Sequence, residues 1–114
     1  MALVVTPSKP VSGVSLYTYD NLDSADTNPE YLTLSGTDPV VGFLQVVGTF
    51  GGGTVKLQLS NNGTNWVDAK DISGTAVAIT AAGGVEFSTA AVYIRPLISG
   101  GSGDDVDVLI SFRG

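Results

Sequence analysis

Asp104, Asp105 and Asp107 crowd one glycine-rich turn, and closely spaced carboxylates are the hard oxygen donors that Ca²⁺ takes. Their spacing matches no calcium loop, so the expectation is an ordinary solvated turn without metal. Asp20, Asp23, Asp26 and Glu30 form a second acidic run with the same expectation. Paired carboxylates can also cleave a glycosidic bond, but only where one of them sits in a cleft that raises its pKa, and a chain of short strands announces no cleft. Histidine and cysteine are both absent, which removes the commonest general base, the commonest metal ligand and the thiol nucleophile. "GTFGGGT" is glycine-rich, yet no helix and no Gly-Lys-Ser/Thr follows it, so it does not read as a phosphate cradle. The sequence therefore predicts no catalytic residues, no cofactor and no metal, and a protein that is not an enzyme.

Trp66, the single tryptophan, follows the Asn61-Asn62-Gly63 turn. An exposed indole there would stack on a sugar or a partner surface. With only four Phe to share the interior, the preferred expectation is that Trp66 fills the core or a subunit interface. Asn62-Gly63-Thr64 matches the glycosylation acceptor pattern formally, and its turn chemistry accounts for it without a glycan.

These residues sit on strands. "TVKLQLS" (54 to 60) alternates, with Val55, Leu57 and Leu59 on one face and Lys56 and Gln58 on the other. "GFLQVVGTF" (42 to 50) reads as a strand joined to it by a glycine hairpin, and "TNWVDA" pairs back to complete a meander. "TAVAIT", "GVEFS" and "AAVYIRPLI" follow; Pro96 in the last predicts an edge position or a bulge. "VDVLISF" closes the pattern with Val106, Val108, Ile110 and Phe112 on one face. Residues 42 to 112 thus give about seven strands, with turn signals at the ~8 to 12 residue spacing of a sandwich or barrel.

Residues 1 to 41 differ, with early prolines and the polar segment "NLDSADTNPE". The expected architecture is all-β, an antiparallel β-sandwich or barrel-like domain over 42–114, preceded by an extended N-terminal arm or outlying strands over 1–41. "VSLYTYD" and "YLTLS" alternate well enough to be strands of the main sheets instead. As an arm, the segment has no core of its own, so Leu3, Val4, Val5, Leu16, Tyr17, Tyr19, Tyr31 and Leu32 are expected to bury against a partner.

The chain has 114 residues, room for one core of modest size, and a net charge of −6 from 5 Lys and Arg against 11 Asp and Glu. Such a chain is repelled by phosphate, which argues against nucleic-acid partners and anionic membranes. "MALVV" lacks the basic segment of an export signal, and no run approaches the ~20 apolar residues of a membrane span. Without cysteine, stability rests on burial and strand pairing.

From about residue 40 to 112, the glycine-rich link, the Ser-Asn-x-Gly-Thr-x-Trp turn and the terminal "YIRPLISGGSGDDVDVLISF" together resemble small virion proteins of tailed bacteriophages. The resemblance implies a head decoration, or cement, protein: a structural β domain that binds the major capsid protein on the outer capsid surface and stiffens the shell. It would be made in the host cytoplasm and act as a homo-oligomer, a trimer in preference to a dimer. A second resemblance supplies the alternative. "SNNGTNW" is similar to the Ser-x-Asp-Gly-x-x-Trp turn of discoidin-type carbohydrate-binding domains, with Asn62 in place of the aspartate, and it implies a non-catalytic glycan-binding β-sandwich in which that turn is structural.

Overall fold

The computed structural model describes residues 5–8, 14–34 and 40–113. They form β1 (Thr6–Ser8), β2 (Val14–Leu22), β3 (Leu32–Thr33), β4 (Val40–Thr49), β5 (Thr54–Ser60), β6 (Val67–Asp68), β7 (Gly83–Thr89), β8 (Tyr93–Ser99) and β9 (Asp105–Arg113). Two antiparallel sheets result, a five-stranded one in the order β1-β2-β9-β4-β7 and a four-stranded one in the order β3-β8-β5-β6. From β2 onward, the orders 2-9-4-7 and 3-8-5-6 are those of an eight-stranded jelly roll, with β1 as an extra edge. The expected all-β antiparallel sandwich is what forms.

Period-two patterning explains which faces meet. In β9, Val106, Val108, Ile110 and Phe112 point inward, and in β5, Val55 and Leu57 face them from the other sheet, all in one buried cluster with Leu44, Val46, Ile94 and Ile98. Phe87 and Phe112 meet edge-on, as aromatic quadrupoles favour, with centroids 5.9 Å apart.

In the N-terminal segment, "VSLYTYD" follows the alternative reading, a strand of the main sheet, and not that of an arm. β2 lies inside the five-stranded sheet, paired along its length with β9, and Tyr19, Leu22 and Leu32 belong to the common core. A bulge makes this possible. Asn21 adopts a positive φ of 58° and the pairing shifts between Tyr19 and Leu22, so both side chains face inward although strict alternation would separate them. The Asn21 amide donates to Asp107 Oδ1 at 3.0 Å and fixes the shifted register.

Of the expected meander, "TNWVDA" does pair back on β5 through β6, but the hairpin between β4 and β5 is corrected. β4 has β9 on one side and β7 on the other, so the chain after Thr49 crosses to the opposite sheet instead of folding back as a hairpin. The glycines serve this crossing: Phe50 is buried, Gly53 N–H donates to the Phe50 carbonyl at 2.7 Å, and Gly51 takes a φ of 57°. A Cβ at Gly51 would run into the Ser102 carbonyl oxygen. "TAVAIT" forms bridges rather than a strand, yet Val77 and Ile79 are buried beside β5.

Pro96 lies within β8, opposite Leu57. Val55 gives both its amide and its carbonyl to Ile79, and the Leu57 carbonyl accepts from Ala69, so these residues turn their polar groups away from β8. On the other side β3 has already ended, reaching only Ile94 and Tyr93. Pro96 therefore withholds a donor at a place where no described strand pairs with it on that side.

Candidate functional site

The outer face of the four-stranded sheet carries the most chemically varied cluster. Because Leu57 and Ile94 point into the core, their neighbours Gln58 and Arg95 point outward, and the register places those two side by side. Arg95 Nε donates to Gln58 Oε1 at 2.9 Å, and Nη1 donates to Asn28 Oδ1 at 2.7 Å. The guanidinium carbon lies 4.1 Å from the centroid of the Trp66 ring. Arg95 is only 8% exposed although it sits on an outer face, because the indole roofs it. Burial pulls its pKa below the ordinary arginine value, with neighbouring Tyr19 opposing the shift.

Trp66 is thus held outside the core, which corrects the core expectation. It precedes the edge strand β6, and it shares the outer face with Asp68 while Val67 points the other way and is itself exposed. The turn before it is self-contained. Ser60 Oγ accepts from the amides of Asn62 and Gly63, and Asn62 Oδ1 accepts from the amides of Thr64 and Asn65. Asn61 Oδ1 accepts from the Val92 amide at 3.2 Å and ties the turn to the start of β8.

Tyr31 and Tyr93 complete the cluster. The Tyr31 ring lies 5.7 Å from Trp66 and 4.8 Å from Tyr93, and it borders Gly63, whose φ is 73°. Tyr31 is 42% exposed. At the margin, Lys56 and Asp68 form an exposed ion pair at 3.4 Å, a geometry that adds little stability. One face of the indole is spent on the guanidinium, the Tyr31 ring tilts against it, and the side chain is half-buried.

A second surface lies on the outside of the five-stranded sheet. Val41, Phe43 and Val47 of β4 are 47%, 41% and 37% exposed, and half-buried Leu16 and Leu109 share that face through the register with β9. Phe43 lies over Gly84, where a Cβ would collide with its ring. Beside Phe43 a depression of about 240 Å³ is lined by Val41, Gly42, Glu86, Ser111 and Arg113.

The residues expected to bind a partner scatter. Leu3 and Val4 lie outside the described residues, while Val5 and Tyr17 pack on the core, with Tyr17 edge-on to Phe112 at 5.8 Å. Tyr19 is fully buried and donates its hydroxyl to the Glu30 carbonyl at 2.7 Å, so it is corrected from partner contact to core. Leu32 is corrected likewise. Leu16 remains on the surface of the five-stranded sheet and Tyr31 on the surface just before β3. Arg95 and Gln58 carried no functional expectation; their alternation with Ile94 and Leu57 was the available signal.

The acidic residues form no joint site. Asp104 accepts from Ser24 Oγ at 2.6 Å, Asp107 from Asn21, and Asp26 from the Asp23 amide at 3.1 Å. Among the described residues no group of three or more acidic side chains converges to hold a metal ion.

No family model matches the chain, and no curated protein matches it. Among solved structures, a carbohydrate-binding module (CBM6cm-2) of lichenase 5A from Cellvibrio mixtus, in complex with cellotriose, is similar at 13% identity and a TM-score of 0.32, covering 96% of this chain and 85% of that one.

Proposed function

We propose that the protein is a structural virion component, a head decoration protein of a tailed bacteriophage that docks on the major capsid protein through the outer face of its five-stranded sheet. The observation that carries this is the outer face of β4: Val41, Phe43 and Val47 stand exposed there, with Gln45 between the last two, on a sheet whose other face is already the core. Exposed apolar side chains grouped on one face mark association sites. The resemblance of residues 40 to 112 to small phage virion proteins supports the same assignment, and the jelly roll is an architecture that capsid proteins use. The fold also serves lectins, so the assignment rests on the face and the resemblance together. In this role the protein sits on the outer shell as a homo-oligomer, a trimer in preference to a dimer, and acts by linkage: whatever binds only the intact shell stabilises it.

The test is co-sedimentation of the full chain with purified capsids of the source phage, followed by heat challenge. Binding should saturate at a lattice-defined ratio and raise the temperature at which the shells release DNA. Val47→Lys faces Asp107 across the ladder, so it should fold normally and lose shell binding. Binding that never saturates, or unchanged shell stability at full occupancy, overturns the proposal.

A further inference from the structure

We propose that the Trp66 platform on the four-stranded sheet is a glycan-binding site, independent of shell docking and on the opposite side of the sandwich. Three observations converge there. The half-buried indole is braced by a buried guanidinium and flanked by exposed Tyr31, so it is a rigid apolar plane at the surface that loses little entropy when a pyranose ring stacks on it. Around that plane stand donors that have no acceptor among the described residues. Arg95 uses Nε and Nη1, and Nη2 bonds to nothing among the described residues. Gln58 and exposed Asn28 spend their amide oxygens on Arg95, and their amide nitrogens donate to nothing among the described residues.

An aromatic plane edged by donors fits a ligand with one apolar face and a rim of oxygen acceptors. A pyranose has both. Other occupants fit less well. A purely apolar partner would leave Nη2 and the two amide nitrogens desolvated and unpaired. A nucleotide brings phosphate to a chain of net charge −6. A cationic peptide would meet a cation already seated against the ring. The ligand is therefore a glycan whose ring stacks on Trp66 and whose ring or hydroxyl oxygens accept from Arg95, Gln58 and Asn28.

The test is a ¹H–¹⁵N NMR titration of the full chain with neutral trisaccharides (maltotriose, cellotriose, chitotriose) and with acidic trigalacturonate. At least one should give saturable shifts centred on the Trp66 indole N–H, Arg95 Nε and the Gln58 amide. Saturation by the neutral set identifies an uncharged glycan, and saturation by trigalacturonate alone identifies an acidic one that Arg95 reads by charge. Gln58→Leu should weaken the interaction about tenfold, and Trp66→Leu should abolish it. The shift map of the unmodified protein stands even if Trp66→Leu fails to fold. No saturable shift with any of the four sugars, or shifts centred away from Trp66, overturns the proposal. Capsid co-sedimentation is unaffected by that failure, so the two proposals fall separately.

Discussion

Arg95 and Trp66 stabilise each other across 4.1 Å on the outer face of a sheet, a cation roofed by an indole with no carboxylate at ion-pair distance among the described residues. Among the described residues the guanidinium is met only by amide oxygens and a π face. Trp66→Ala should therefore cost about 1–2 kcal/mol, the range of a largely desolvated cation–π contact, instead of the ~3–5 kcal/mol of a core aromatic. Urea denaturation measures it, and a loss above that range would place the indole in the core.

Tyr19 joins the core to the loop before β3 through its hydroxyl on the Glu30 carbonyl. Tyr19→Phe should cost about 0.5–1.5 kcal/mol, the net worth of one such bond. Burial first, and the Glu30 charge second, push the phenol well above the ordinary tyrosine value. A raised pKa in the folded state means that the native protein keeps a proton the unfolded chain releases. Stability from this source is complete below about pH 10 and falls as pH climbs toward the raised value. Tyr19→Phe should flatten that alkaline decline in a melting-temperature series.

Asp71 works on the acid side. Its carboxylate accepts from the Ser73 hydroxyl at 2.7 Å and from the Ser73 and Thr75 amides, all at 3.0 Å or less, and these bonds hold its pKa below the usual carboxylate range, the hydroxyl foremost. A lowered pKa stabilises above the ordinary value near ~4 and is lost as pH falls through the lowered one. Asp71→Asn keeps an acceptor but no charge, so it should reduce the slope of stability against pH in that acid window.

Removing residues 1–22 should unfold the chain. β2 covers one side of β9, and its loss takes Tyr19 and Leu22 from the core and leaves β9, with its buried Val106, Val108, Ile110 and Phe112, at an open edge. Far-ultraviolet circular dichroism decides this; a cooperative β-sheet melt from the truncated chain would show that β2 is dispensable.

Gly51→Ala should destabilise by more than ~1 kcal/mol, because φ is positive there and the new methyl meets the Ser102 carbonyl. Gly52, also at positive φ but with open space around it, should tolerate Ala better. Parallel thermal melts of the two variants separate the steric cost from the conformational one.

Period-two alternation made the inward faces of β5 and β9 legible, since side-chain direction along a strand is a local property: Val55, Leu57, Val106, Val108, Ile110 and Phe112 point where their spacing says. The absence of histidine and cysteine was equally plain, and it narrowed the available chemistry before any fold was known. Strand partners were not legible, because pairing is a contest among all exposed edges, and β4 gave its two edges to β7 and β9 while its sequence neighbour β5 went to the other sheet. β2 was legible only as an alternative, because "VSLYTYD" alternates while the bulge at Asn21 takes Leu22 out of that alternation. Trp66 was decided by tertiary structure alone. A tryptophan beside a turn fits a core or a surface until Arg95, twenty-nine positions away in sequence, is set beside Gln58 by the register of β5 against β8 and seats the indole on the outer face of the sheet.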